Sequence, residues 1–117
     1  MRYVQSLGYT QPVMEVPGRT MKYWLARTLY ERREAANPKR VSRARIARLL
    51  EVETSTIFRF EKGERFPDHF DRVVAAYAFA LGIDDGRELW QEALEAWRTN
   101  GQPPTFKDDP PPPPPDR

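Results

Sequence analysis

Between residues 20 and 100, apolar side chains recur at intervals of three and four, in stretches each closed by a proline, a glycine or a tight polar turn. That period belongs to helices, which bury one stripe and expose the rest, so the chain has to stack several short helices on a shared core. The first stretch runs from Thr20 through Tyr23, Trp24, Leu25, Thr28, Leu29 and Tyr30, with Lys22, Arg27, Glu31, Arg32 and Arg33 between them. It ends near Asn37, because Pro38 lacks an amide hydrogen and disfavours helical geometry in its predecessor.

Ser42 has the hydroxyl of a good N-cap, able to accept from the amide of Arg45 or a neighbour. A second helix follows through Ile46, Ala47, Leu49 and Leu50, with Arg43, Arg45 and Arg48 placed outward. After a tight turn at Glu51 to Glu53, a third helix puts Ile57 and Phe60 inward and exposes Thr54, Ser55, Phe58 and Arg59; Gly63 ends it. Pro67 and Asp68 start a fourth helix with the stripe Phe70, Val73, Val74, Tyr77, Ala78 and Leu81, closed by Gly82. A fifth spans about Gly86 to Asn100. No segment alternates at period two and no hairpin dipeptide lies between apolar runs, so an all-α bundle of about five short helices is expected and a sheet is not.

The fifth helix carries Leu89, Trp90, Ala93, Leu94 and Trp97 on one broad face, and its two tryptophans require burial. That burial is either on the chain's own bundle or, with Leu89, Trp90, Leu94 and Trp97 as anchors, in a homodimer interface. Eight of the twelve prolines lie in residues 101–117, which read as a solvated, disordered tail. The chain therefore divides into a flexible arm over residues 1–19, a folded unit over 20–83, the tryptophan helix over 84–100 and the proline-rich tail.

A formal net charge of +2 conceals an asymmetry. Residues 20–65 hold twelve Lys and Arg against six Glu, a net +6, whereas the remainder holds seven basic and eleven acidic residues, a net −4. Positive charge gathered on one stretch is the footprint of a phosphate-rich partner. There is no cysteine, and His69 is the only histidine. Disulfide frameworks, thiolate nucleophiles and cysteine zinc sites are thus excluded, and one imidazole among scattered carboxylates makes no triad. No catalytic residue, cofactor, metal or small-molecule effector is expected. No run approaches the ~18 apolar residues needed to cross a bilayer, so the chain reads as cytoplasmic and not membrane-bound.

The stretch from Val41-Ser42-Arg43-Ala44-Arg45-Ile46-Ala47-Arg48-Leu49-Leu50-Glu51-Val52-Glu53 through Thr54-Ser55-Thr56-Ile57-Phe58-Arg59-Phe60-Glu61-Lys62-Gly63 resembles the Cro and lambda-repressor-like helix-turn-helix family, also called the xenobiotic-response-element family. The likeness is ungapped, continues through Arg65, Phe66 and Pro67 and, with the next helix, covers about half the chain. Its features have physical reasons of their own. Ala47 is small where the second and third helices cross. Ile46, Leu50, Val52, Ile57 and Phe60 are spaced to seal the core between them, which holds the exposed face of the third helix rigid. Glu61 resembles the family glutamate that pairs with a first-helix arginine, for which Arg32 and Arg33 are the candidates. Three features depart from the pattern: Glu51 stands where members usually have glycine in the turn, Glu53 where they often have Ser or Thr, and the loop before Ser42 is longer. A glutamate held near left-handed geometry in that turn costs on the order of 1 kcal/mol.

The resemblance implies that the third helix enters the major groove of double-stranded DNA while the second lies across the backbone. Thr54, Ser55 and Arg59 then face bases, with Arg59 suited to guanine O6 and N7 and Phe58 to a thymine methyl. Arg43 and Lys62 match phosphate-contacting positions, reinforced by Lys39, Arg40 and Arg45. It further implies a bacterial or phage transcriptional repressor acting by operator occupancy, commonly as a dimer. The rival readings are an antitoxin or other protein-interaction factor with secondary DNA binding, and a phage architectural or excision factor.

Overall fold

A computed structural model of the chain describes residues 3–4, 11–12, 18–36 and 41–115. Five helices make up the body: α1 (Gly18–Ala35), α2 (Arg43–Leu50), α3 (Thr54–Glu61), α4 (Phe70–Leu81) and α5 (Arg87–Asn100). The all-helical expectation holds for this body. One small departure lies ahead of it, where Tyr3–Val4 (β1) and Gln11–Pro12 (β2) form a two-residue antiparallel ladder, Tyr3 opposite Pro12 and Val4 opposite Gln11. Two pairs of residues are too few for an alternating pattern to register in a sequence.

The helix ends follow local chemistry. Ser42 caps α2 as expected, its Oγ accepting from the backbone amide of Arg45 at 3.1 Å. The α2 end is closed by a left-handed residue, and the amide of Val52 reaches back to the carbonyl of Ala47 at 3.0 Å, the hydrogen bond of a Schellman ending. Glycine normally occupies that left-handed position; here it is Glu51, at φ 57 and ψ 44. The same reach-back closes α3, from Glu64 to Arg59 at 3.0 Å, and there Gly63 takes the left-handed turn. A side chain at Gly63 would also press on the Tyr23 ring, 3.1 Å from where its Cβ would stand. Helix α4 begins at Phe70, a little later than Pro67 and Asp68 suggested, because residues 65–69 are not helical.

One core joins all five helices. Leu25 and Leu29 of α1, Ile46 and Ala47 of α2, Ile57 and Phe60 of α3, Val74 and Tyr77 of α4, and Leu89 and Trp97 of α5 are all buried in it. Phe60 packs against Phe70 and Tyr77 with ring centroids 5.5 and 6.2 Å apart, and Phe66 adds a fourth ring, 6.1 Å from Phe70. Tilted rings at these separations are a favourable aromatic arrangement, and they set α3 firmly on α4.

The tryptophan face of α5 is part of this core. Leu89, Trp90 and Trp97 are buried and Leu94 is half-buried against them, with α1 as the main partner of α5. As a set of dimer anchors these four residues are therefore corrected: their apolar surface is already used within the chain. A bundle of short helices has few other large side chains to fill the space between α1 and α5. No helix among the described residues is long and apolar enough to cross a membrane.

The proline-rich tail is the largest correction. Through residue 115 it folds back along the bundle instead of standing away in solvent. The Trp24 indole Nε1 donates to the carbonyl of Gly101 at 2.9 Å, Thr20 Oγ1 donates to the carbonyl of Phe106 at 3.3 Å, and Phe106 lies against Tyr23 and under the Arg19 guanidinium. The backbone amide of Thr20 donates to the Asp109 carboxylate, so a residue 89 positions away caps the first turn of α1. Further out, Arg98 donates to the carbonyls of Pro113 and Pro114 at 2.9 and 3.0 Å. Prolines cannot donate, but their carbonyls accept, and that is how the last part of the tail is held to α5.

Candidate nucleic-acid interface

Helix α3 is amphipathic, with Ile57 and Phe60 turned into the core and Thr54, Ser55, Phe58 and Arg59 exposed. Residues four apart stack on one ridge of a helix, so Ser55 and Arg59 form one exposed ridge and Phe58 and Lys62 the next. Arg59 has no ion-pair or hydrogen-bond partner among the described residues. The acids that compete for it are engaged elsewhere, Glu64 with Lys62 at 3.1 Å and Glu61 with two other arginines. The guanidinium of Arg59 therefore keeps its donors for an outside acceptor.

What aims this face is a buried polar knot at the end of α3. Arg33 of α1 grips Glu61 with two hydrogen bonds, Nε to Oε2 at 2.7 Å and a terminal nitrogen to Oε1 at 2.9 Å. The Tyr77 hydroxyl donates to Oε2 at 2.7 Å, and Arg43 Nε donates to Oε1 at 2.9 Å. Burial alone would push the Glu61 carboxyl up, but the hydrogen bonds from Arg33, Tyr77 and Arg43 outweigh it and hold the group below its ordinary value. Burial and the neighbouring carboxylate push the Tyr77 hydroxyl far up, so it stays protonated and donating. Of the two candidate partners for Glu61, Arg33 is the one used; Arg32 turns to α5, where it meets Glu88 at 2.6 Å and Glu92 at 3.1 Å.

The expected phosphate contacts separate. Arg43 does not face outward as its place on α2 suggests: its Nε is committed to Glu61, and its Cζ lies 5.0 Å over the Phe58 ring. Lys62 approaches the same ring, its Nζ 4.9 Å from the centroid. Phe58 is thus 42 % exposed yet flanked by two cations, an arrangement that holds both charges at the margin of α3. Arg45 lies apart, lining a hollow with Val41, Phe79 and Leu81, and is not brought together with Arg43 and Lys62. Lys39 and Arg40 lie outside the described residues.

Ser55 makes a long contact with Glu53, 3.5 Å, and Glu53 itself gives α3 no side-chain cap. Sequence reasoning missed the part that α1 plays beside α3. Tyr23, Arg27 and Tyr30 share a groove of about 380 Å³ with Arg43, Phe58 and Lys62. Their alternation with the buried α1 residues was visible, but nothing in the sequence says that this flank of α1 faces α3.

Residues 24–90 match a family model described as a helix-turn-helix domain. The match spans the whole of α2, α3 and the turn between them. No curated protein and no solved structure shows a significant match.

Proposed function

We infer that this chain, which belongs to the helix-turn-helix domain family, is a sequence-specific, non-enzymatic DNA-binding regulator of transcription, of the Cro and lambda-repressor-like type. On this reading α3 enters the major groove, Arg59 reads a guanine, and Thr54 and Ser55 sit against neighbouring base edges. Lys62 and the exposed part of Arg43 contact phosphates and set the register. Regulation follows from occupancy: the protein acts as a bacterial or phage repressor that covers an operator in the cytoplasm, as a homodimer on two half-sites about one helical turn apart. Because α5 spends its tryptophans on its own core, such a dimer pairs through another surface.

The observation that carries this reading is Arg59, without a partner among the described residues, on a rigidly held ridge. A surface arginine without an internal partner has no ion pair to break before it meets a base edge, and the Arg33–Glu61–Tyr77 knot removes the freedom of α3 to tilt away. Selecting binding sites from a random duplex library with the purified protein tests it. A recovered motif with a guanine whose preference depends on Arg59 is the expected result. Unselective binding with a steep salt dependence overturns sequence readout and favours the architectural alternative.

A further inference from the structure

We propose that the groove between α1 and α3 seats the sugar–phosphate backbone of the bound DNA strand, with Arg27, Tyr23 and Tyr30 as its contacts from α1. The inference rests on the DNA-binding reading above and extends it from α2 and α3 to α1.

Position is the first argument. The Phe58–Lys62 ridge of α3 forms one wall of the groove and lies next to the Ser55–Arg59 ridge, so the groove continues the base-reading surface toward α1. A duplex engaged by Arg59 has to pass one of its strands over this side, because the backbone flanks the major groove on either hand.

Chemistry is the second. Arg27, Arg43 and Lys62 bring three cations to the lining. The one carboxylate in it, Glu61, is already compensated by Arg33 and Arg43. Lys62 and Arg27 are paired only with the exposed acids Glu64 and Glu31, at 3.1 and 3.5 Å; such pairs are worth little and yield to a phosphate. The hydroxyls of Tyr23 and Tyr30 have no hydrogen-bond partner among the described residues, and tyrosine hydroxyls are recurrent donors to phosphate oxygens.

The test uses the full chain with Arg27→Gln and the triple variant Arg27→Gln/Tyr23→Phe/Tyr30→Phe, on the selected duplex and a scrambled one. Arg27 is 53 % exposed, so its replacement leaves the fold intact, which a circular dichroism melt verifies. Arg27→Gln is expected to weaken both duplexes alike, by roughly three- to ten-fold near 0.1 M salt, and to reduce the slope of log affinity against log salt by about 0.9, one phosphate's worth. A duplex with a methylphosphonate at the phosphate over the groove then binds wild type and variant equally.

An unchanged affinity and slope overturns the proposal while leaving the DNA-binding reading in place, as does a loss confined to the matched duplex. Arg27-dependent binding of inorganic phosphate with duplex affinity untouched assigns the groove to a free anion and overturns it too. If wild type binds no duplex at all, both readings fail together.

Discussion

Arg33 and Glu61 are joined by two hydrogen bonds, at 2.7 and 2.9 Å, and their side chains are only 4 % and 1 % exposed. A pair so far from water is costly to break from one side, because the remaining charge keeps its desolvation penalty without its partner. The pair ties the far end of α1 to the last turn of α3, and with Tyr77 and Arg43 it makes the orientation of α3 a property of three helices at once.

Removing either partner should therefore cost far more than a surface ion pair. Glu61→Ala is expected to lose about 3 to 5 kcal/mol of unfolding free energy, a large share of the ~5–15 kcal/mol of a typical domain. Arg33→Lys is expected to lose much of the same, since an ammonium cannot grip both oxygens of the carboxylate. Urea titrations of the two variants give the values; losses under about 1 kcal/mol would mean that the knot is ornamental.

The same knot sets the pH limits. With its folded-state value held below that of the unfolded chain, the Glu61 carboxylate contributes stability that is complete above the ordinary value of about 4.3 and is lost as pH falls through the folded one. Tyr77 is shifted up, so its contribution is complete below about 10 and fades as pH rises beyond. Melting temperatures measured from pH 2 to 12 should fall at both ends in the wild type. The acid fall should be shallower in Glu61→Gln and the alkaline fall shallower in Tyr77→Phe.

Glu51 is the one described non-glycine residue with positive φ. Its side chain is exposed, so Glu51→Gly removes the left-handed strain and little else. A gain of about 1 kcal/mol is expected, read as a higher urea midpoint with an unchanged slope. A loss would show that the glutamate side chain holds the turn in some other way.

The tail contact at Asp109 behaves as an N-cap supplied from the far end of the chain. Asp109→Ala is expected to cost about 1 kcal/mol, which lowers the melting temperature by roughly 4 to 8 °C in a domain of this size. Gly18→Ala should act on the same contact, because its Cβ would come within 3.0 Å of the Asp109 carboxylate at a φ of +74. Two unchanged melts would mean that the tail does not rest on α1 in solution.

Reading and anchoring should separate on α3. Arg59→Ala is expected to relax preference at one base pair, a discrimination of about 1 to 3 kcal/mol. Lys62→Ala should weaken all duplexes alike and reduce the salt slope by about 0.9. Site selection repeated with each variant distinguishes them, and a uniform loss in both would remove the division of roles.

Much of this protein is settled by contacts between near neighbours in the chain. The three- and four-residue period, Ser42 as a cap, Gly63 and Gly82 as stops and the left-handed Glu51 all depend on residues within a turn or two, so the sequence alone determines five helices, the helix-turn-helix and the outward face of α3. The tertiary structure decided what depends on distances between helices. It chose Arg33 over Arg32 for Glu61, 28 positions away, and drew Arg43 inward to the same carboxylate. It buried the tryptophans of α5 against α1, laid the tail on Thr20 and Trp24, and opened the groove where Tyr23, Arg27 and Tyr30 meet α3. A guanidinium or an indole has the same propensity wherever it sits on a helix; which partner it meets is set by how the helices pack, and that is a property of the whole core.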